Sequence, residues 1–145
     1  MITSTIEIDR PPQDVFAYLD DVESHGDWQE QIVSARRLTD GPTRVGTQVS
    51  ETRKLGGREQ QMSYEITEHE PPRKSSWRGL DGPVRPVGSV IVEPLDGGAR
   101  SRVTLELDLE GHGLGVLIAP FARMQARKQV PADQAKLKQI LERGA

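Results

Sequence analysis

Residues 103–109 alternate strictly between apolar and polar side chains, and this pattern constrains the fold more than any other feature of the sequence. The odd positions carry one valine and three leucines, whereas the even positions carry Thr104, Glu106 and Asp108. The same alternation runs through residues 62–67. A period of two predicts β-strands with one buried and one solvated face. The chain therefore needs a second layer that covers the apolar face of an antiparallel sheet.

Residues 32–112 contain turn-forming clusters that divide this region into strands. The clusters fall at residues 41–46, 55–57, 70–72, 80–83 and 95–98. Such clusters of glycine, proline and aspartate favour hairpins between neighbouring antiparallel strands. Six strands are expected here, and the alternating segment ITSTIEID adds a strand at the start of the chain.

Three segments have the apolar spacing of helices. Pro11 and Pro12 end the first strand and favour the first turn of a short amphipathic helix. A second short helix, interrupted at Gly26, is predicted over residues 22 to about 31. The C-terminal segment has helical spacing from about Pro120 onward. A kink or break is expected near Pro131, because proline removes a backbone hydrogen bond. This long helix is the expected cover for the sheet.

Length and composition predict one domain over residues 1–145, which is enough chain for a single hydrophobic core. The absence of cysteine excludes disulfides and thiolate-ligated metals. No apolar run reaches the ~20 residues of a membrane span, and the N-terminus lacks the layout of a signal peptide. A cytoplasmic location is therefore expected. The formal net charge of −3 argues against a nucleic acid partner.

Several carboxylates surround a histidine in the stretch AYLDDVESHGDWQEQI. The groups that would join His25 in binding a divalent ion are Asp20, Asp21, Glu23 and Asp27. The spacing matches no EF-hand or zinc-protease motif, and acidic groups between two helices commonly cap helix ends. We therefore expect a solvated junction without a metal or another cofactor. Trp28 is expected to be a buried anchor.

The order of predicted elements and several segments resemble the START/Bet v1-like superfamily, specifically its bacterial polyketide cyclase/dehydrase and lipid-transport group. IEIDRPPQDVFAYLDDVESHGDWQEQI is similar to the family's opening strand and helices, and GPTRVGTQVSE to the following hairpin. SSWRGLDGPVRPVGSVIVEPLDGGARSRVTLELDLEG is similar to its closing strands. The resemblance covers essentially the whole chain. It does not identify a function, because one scaffold hosts many activities.

The resemblance implies an α+β helix-grip fold, in which a curved seven-stranded antiparallel sheet wraps around a long C-terminal helix. Two short helices follow the first strand. It also implies an apolar cavity between sheet and helix that holds a lipid, a quinone, a polyketide or a similar hydrophobic ligand. The residues expected to contact this ligand are Phe16, Leu19, Trp28, Met62, Tyr64, Trp77, Val90, Val92, Leu105, Leu107, Phe121 and Met124.

An enzymatic alternative concerns polar groups that the alternation places on the inner face. Val45, Thr47 and Val49 would point inward, and Glu51 with them. Aromatase/cyclase relatives use an arginine and an aromatic hydroxyl to fold and enolise a poly-β-keto chain. The resemblance therefore implies catalytic candidates Arg37, Glu51 and Tyr64. The competing interpretation is that Glu51 and Arg53 lie past the covered region and are solvated, since a buried unpaired charge is costly.

Two further interpretations concern the outer surface. The basic residues of the last helix would allow transient contact with an anionic membrane, or they would simply form a solvated face. These residues are Arg123, Arg127, Lys128, Lys136 and Lys138. A regulatory domain that binds a protein partner would instead carry a large external apolar patch. His69 and His112 lie at strand ends, where exposed histidines are common. The oligomeric state and the ligand's identity do not follow from the sequence.

Overall fold

The computed structural model describes residues 1–55 and 57–143 and contains a seven-stranded antiparallel sheet. The strands are β1 (Ile2–Ile8), β2 (Ile32–Arg37), β3 (Gln48–Leu55), β4 (Arg58–Glu70), β5 (Lys74–Gly79), β6 (Val84–Leu95) and β7 (Arg100–Gly111). Their order across the sheet is β1-β7-β6-β5-β4-β3-β2. Strands β2 to β7 therefore form a continuous meander, and β1 completes the sheet beside β7. This arrangement confirms the α+β helix-grip fold.

The first strand is held by the last one along its whole length. Ile2 lies opposite Leu107 and Ile8 lies opposite Ser101 in the β1–β7 pair. Strand β7 pairs on its other side with β6, from Val84 opposite Gly111 to Leu95 opposite Arg100. The two long strands supply much of the concave face, because their inward side chains alternate with solvated ones.

Of the helices that connect β1 to β2, the first agrees with the sequence pattern and the second is shorter than predicted. Helix α1 spans Pro12–Asp20, a 3₁₀ turn spans Val22–Ser24, and helix α2 spans only His25–Trp28. The prediction that this second helix extends to residue 31 is wrong. The backbone of Gln29 is already extended, and β2 begins at Ile32.

The C-terminal helix α3 spans Gly115–Arg143, so it begins five residues before Pro120. The predicted start near Pro120 is wrong, and the helix continues through Pro120 and Pro131. Each proline removes one hydrogen bond, and the buried side chains along the inner face of α3 compensate for this loss. In the described part of the chain, neither α3 nor another helix is both long and apolar enough to span a bilayer.

The start of α3 lies directly on the loop between β5 and β6. A Cβ atom on Gly115 would come within 1.7 Å of the Pro83 carbonyl oxygen, so only glycine permits this approach. The next inward-facing residues of the helix, Ala119 and Ala122, are also small and buried. Close packing therefore determines which side of α3 faces the sheet.

The tightest part of the core lies at the opposite end of α3. Ile8, Val15, Phe16, Val92 and Leu137 form a buried cluster there, between α1, the sheet and the second half of α3. Arg10 closes this end, because its guanidinium donates to the carbonyl oxygen of Leu141 at 3.0 Å. The long helix is thus anchored at its C-terminal half, while small residues cover the sheet at its N-terminal half.

Candidate functional site

A cavity of about 210 Å³ lies between the concave face of the sheet and α3. A single water occupies roughly 10–15 Å³ by this kind of measure, so the space admits a small organic molecule. Its walls are mostly apolar side chains from α1 and from strands β3 to β7. Apolar walls with a few polar groups are typical of small-molecule sites.

Most of the residues expected to contact a ligand do line this cavity. They are Phe16, Leu19, Trp28, Met62, Tyr64, Trp77, Val90, Leu105 and Leu107. Val92 is buried in the adjacent core instead and is not part of the wall. That the lining residues bind a ligand remains a prediction.

The structure contradicts the expectation that Phe121 and Met124 face the cavity. Both side chains point away from the sheet, and about half of each is exposed (51% and 49%). The large apolar residues do have helical spacing, but the opposite stripe of the helix faces the sheet. Ala122 and Ala126 line the cavity, because the contact of Gly115 with Pro83 turns this stripe of α3 toward the sheet.

One end of the cavity carries a buried ion pair. Glu51 is only 4% exposed and accepts a hydrogen bond from the Arg53 Nε atom at 2.9 Å, and Arg53 also donates to the side-chain oxygen of Gln29. Burial alone raises the pKa of the Glu51 carboxyl, but Arg53 and His25 oppose that effect, and the pKa falls to about 2. The interpretation that Glu51 is solvated is therefore wrong, because β3 places it inward with its own counter-ion.

His25 and Trp28 lie beside this ion pair. The His25 Nε2 atom is 2.8 Å from the Leu19 carbonyl oxygen, and a carbonyl only accepts, so Nε2 carries a proton. The His25 Nδ1 atom is 3.9 Å from a Glu51 oxygen, which is too long for a hydrogen bond. Within residues 1–55 and 57–143, His25 Nδ1 and Trp28 Nε1 are the buried side-chain atoms without a partner. The polar end thus retains unused hydrogen-bonding capacity.

The acidic cluster around His25 does not form a metal site among the described residues. Asp21, Glu23 and Asp27 are exposed, as a solvated junction requires, whereas His25 itself turns inward. Reasoning from the sequence missed this role of His25. Its position three residues before a tryptophan anchor was the available signal, since residues three apart in a helix lie on the same side.

Tyr64 contributes a hydroxyl group to the cavity from β4. It is almost fully buried, and burial together with the Glu51 charge raises its pKa well above the ordinary value. Tyr64 therefore remains protonated at neutral pH and can donate a hydrogen bond. Val49, directly opposite in the β3–β4 pair, lines the same wall.

Arg37 does not join Glu51 and Tyr64, contrary to the catalytic hypothesis. Its guanidinium donates to the Thr43 hydroxyl and to the Asp20 carbonyl oxygen, and it lies 3.7 Å from the Glu23 carboxylate. Arg37 is the last residue of β2 and lies opposite Val49, and its side chain extends toward Asp20 and Thr43 instead of toward Glu51. Val45, also expected inward, is exposed in the turn before β3, whereas Thr47 and Val49 are buried.

A second polar pair lies between α1 and β4. The His69 Nε2 atom is 2.8 Å from the Asp20 carboxylate, and the His69 ring packs 5.5 Å from the Phe16 ring. Burial raises the pKa of Asp20 although the bond to His69 lowers it in part. The expectation of an exposed His69 is wrong, while His112 is exposed as predicted.

Sequence comparison identifies a protein family. A family model described as "Polyketide cyclase / dehydrase and lipid transport" matches residues 1–143. The search against curated proteins found no match.

Solved structures share the fold at low sequence identity. A START superfamily protein from Mycobacterium smegmatis has a TM-score of 0.80 at 14% identity, with 99% of this chain and 98% of that chain covered. The ZhuI aromatase/cyclase from Streptomyces sp. R1128 has a TM-score of 0.80 at 16% identity, covering 98% and 93%. A protein from Thermus thermophilus has a TM-score of 0.76 at 17% identity, covering 99% and 98%.

Proposed function

We propose, since this chain belongs to the polyketide cyclase / dehydrase and lipid transport family, that its cavity binds a small hydrophobic molecule. The observation that supports this proposal is the 210 Å³ space with apolar walls and one polar end. Burial of apolar ligand surface would supply affinity at about 25 cal/mol per Å² before the costs of association. Transport or sequestration of the bound molecule is the proposed role, in the cytoplasm and without nucleic acid.

The distribution of polar groups favours a ligand with one polar end. Met62, Leu105 and Leu107 supply the apolar wall, whereas His25 and Trp28 offer hydrogen-bonding atoms at the polar end. A lipid, a quinone or a polyketide combines an apolar body with oxygen atoms of this kind. The polar group of such a molecule would lie near Glu51 and Tyr64, because burial elsewhere in the cavity would leave it without a partner.

Native mass spectrometry of the purified protein is expected to detect a bound small molecule, which solvent extraction then identifies by its mass. A panel containing a fatty acid, a quinone and a polyphenol covers the case in which the ligand is lost during purification. Quenching of tryptophan fluorescence measures its binding, since Trp28 and Trp77 line the cavity. The absence of any extracted molecule, together with the absence of binding across the panel, would contradict the proposal.

A second candidate function is an aromatase/cyclase-like reaction on a polyketide or a related ketone. The observation that favours it is the proximity of a protonated Tyr64 to the Glu51 charge inside the cavity. A buried hydroxyl can donate to a ketone oxygen and stabilise the negative charge that develops when the ketone enolises. Arg37 is not part of this hypothesis, because it does not line the cavity and its guanidinium is held by Thr43 and by the Asp20 carbonyl oxygen.

Replacement of Tyr64 by phenylalanine is expected to lower turnover of a poly-β-ketone by about 100-fold or more, since it removes a proton donor without changing the ring. Product formation by chromatography is the measurement. The matched control is Tyr18→Phe, which alters a tyrosine that does not line the cavity. Equal turnover in Tyr64→Phe and the unmodified protein would exclude this catalytic role. That result would leave the proposal of ligand binding in the cavity untouched.

A further inference from the structure

The first half of α3 and the residue before it expose an unusual amount of apolar surface. The side chains in question, here called the apolar strip, are Leu114, Val116, Leu117, Ile118, Phe121 and Met124. Each is at least 48% exposed, and Leu114 reaches 81%. Elsewhere in the described chain, large apolar residues with comparable exposure occur singly along the sequence. Contiguous exposed apolar surface of this kind marks an interaction site.

The orientation of α3 makes this exposure a property of the fold. A surface helix normally turns its large apolar residues inward, but here Gly115, Ala119 and Ala122 occupy the inner side. The contact of Gly115 with Pro83 admits no side chain at that position, so α3 cannot rotate to bring Leu117 or Phe121 to it. Rotation of the helix therefore cannot bury the strip, and its contact has to come from outside the chain.

Charge indicates which surface the strip contacts. Residues 112–132 contain no aspartate or glutamate, although the whole chain has a net charge of −3. Leu117, Phe121, Met124 and Lys128 follow one another at helical spacing on the same side, and Arg127 is exposed next to Lys128. The carboxylate of Asp108 on β7 reaches this half of the helix, but it is paired with Arg123 at 3.3 Å, which leaves Arg127 and Lys128 as the cations beside the strip. Apolar side chains bordered by such cations match the interface of a bilayer that contains anionic headgroups.

We propose that the apolar strip docks this protein on the surface of an anionic lipid bilayer, a property beyond ligand binding in the cavity. The strip enters the interfacial layer, and Arg127 and Lys128 contact the headgroups. The first turns of α3 also cover one part of the cavity, which Ala122, Leu109 and Val84 line. Docking by this surface places the cavity next to the lipid bilayer, in which a hydrophobic ligand would be dissolved.

A second copy of the chain is a less suitable occupant of the strip. Two α3 helices packed through their outer sides would bring the Arg127 and Lys128 side chains of both copies to one interface, and residues 112–132 supply no carboxylate to neutralise them. Like charges placed together at an interface disfavour association. A bilayer with anionic lipid removes this repulsion instead of adding to it.

Vesicle flotation tests the proposal with the unmodified protein and phosphatidylcholine vesicles, with or without phosphatidylglycerol. We expect binding to the mixed vesicles that weakens as salt is added. The double variant Leu117→Ser/Phe121→Ser is expected to lose at least about tenfold in partitioning, because two apolar side chains no longer enter the interface. Arg127→Gln/Lys128→Gln is expected to lose binding to the mixed vesicles by about fivefold or more.

The matched control is Val33→Ser/Val45→Ser, which removes two exposed apolar side chains outside the strip and should bind as the unmodified protein does. Circular dichroism and thermal unfolding verify that each variant is folded. Three results would overturn the proposal: no binding to mixed vesicles, unchanged binding of the Leu117/Phe121 variant, or a dimer in light scattering that this variant dissociates. Ligand binding is measured separately, so failure here leaves the proposed cavity function intact.

Discussion

Replacement of Arg53 by methionine is expected to lower the free energy of unfolding by about 3 kcal/mol, as removal of one partner from a buried ion pair generally does. Only 5% of the Glu51 side chain is exposed, so the variant leaves this carboxylate without its counter-ion and with little contact to bulk solvent. Urea denaturation followed by circular dichroism measures the change. Arg73→Met is the matched control, because its partner Glu70 is exposed and such surface pairs contribute about 0–1 kcal/mol.

The same variant should change how stability depends on pH. In the unmodified protein the pKa of Glu51 lies near 2 when folded, below its ordinary value of 4.5. The pair therefore contributes stability above pH 4.5, and this contribution is lost as the pH falls toward 2. In Arg53→Met, burial without the counter-ion raises the pKa of Glu51. The stability difference between the two proteins should then be largest at neutral pH and shrink as the solution becomes acidic.

A double variant separates the ion pair from general damage to the fold. Glu51→Leu/Arg53→Met removes both charges, and much of the lost stability should return because no buried carboxylate remains unpaired. Unchanged stability of Arg53→Met at neutral pH would show that water reaches Glu51. A double variant no more stable than the single one would show that Arg53 acts through packing rather than through charge.

Filling the cavity from the helix side should abolish ligand binding without unfolding the protein. Ala122 and Ala126 point from α3 into the cavity, and leucine at both positions adds six carbon atoms to a space of about 210 Å³. We expect the affinity for whichever panel molecule binds to fall by about 100-fold or more, since the ligand and the new side chains compete for one volume. The unfolding temperature should stay equal or rise, because apolar side chains replace a void.

The control for this pair is Ala135→Leu, which makes the same change at an exposed position of the same helix. Fluorescence titration and thermal unfolding are run on both proteins. Retained affinity in the Ala122→Leu/Ala126→Leu variant would mean that the ligand binds elsewhere. A large loss of thermal stability would instead mean that the space is too narrow for the added side chains.

The sheet could be predicted from the sequence because its signal is local. Alternation of period two at residues 103–109 and the turn clusters between strands require no knowledge of distant contacts. The inward positions of Met62, Tyr64 and Leu105 follow from the same alternation. The prediction of α1 succeeded for a similar reason, since Pro11 and Pro12 determine both the end of the strand and the start of the helix.

The orientation of α3 could not be predicted in this way. Helical periodicity groups Leu117, Phe121 and Met124 on one side, but it does not tell which side meets the sheet. That choice depends on the contact between Gly115 and Pro83, which are far apart in sequence. The buried state of Glu51 depends likewise on Arg53 and His25. The cost of a buried unpaired charge therefore favoured a solvated Glu51, which is wrong because this carboxylate is paired. Both misses concern tertiary contacts that override a local rule.

The pairing of β1 with β7 has a consequence for the way the chain acquires its structure. Ile2 and Leu107 are adjacent in the sheet, yet more than a hundred residues separate them, so their contact closes a very long loop. Such distant contacts cost chain entropy early and slow the folding reaction. During synthesis, β2 to β7 emerge before α3 and present an uncovered apolar face. We therefore expect the apolar face of the sheet to be prone to aggregation until α3 covers it.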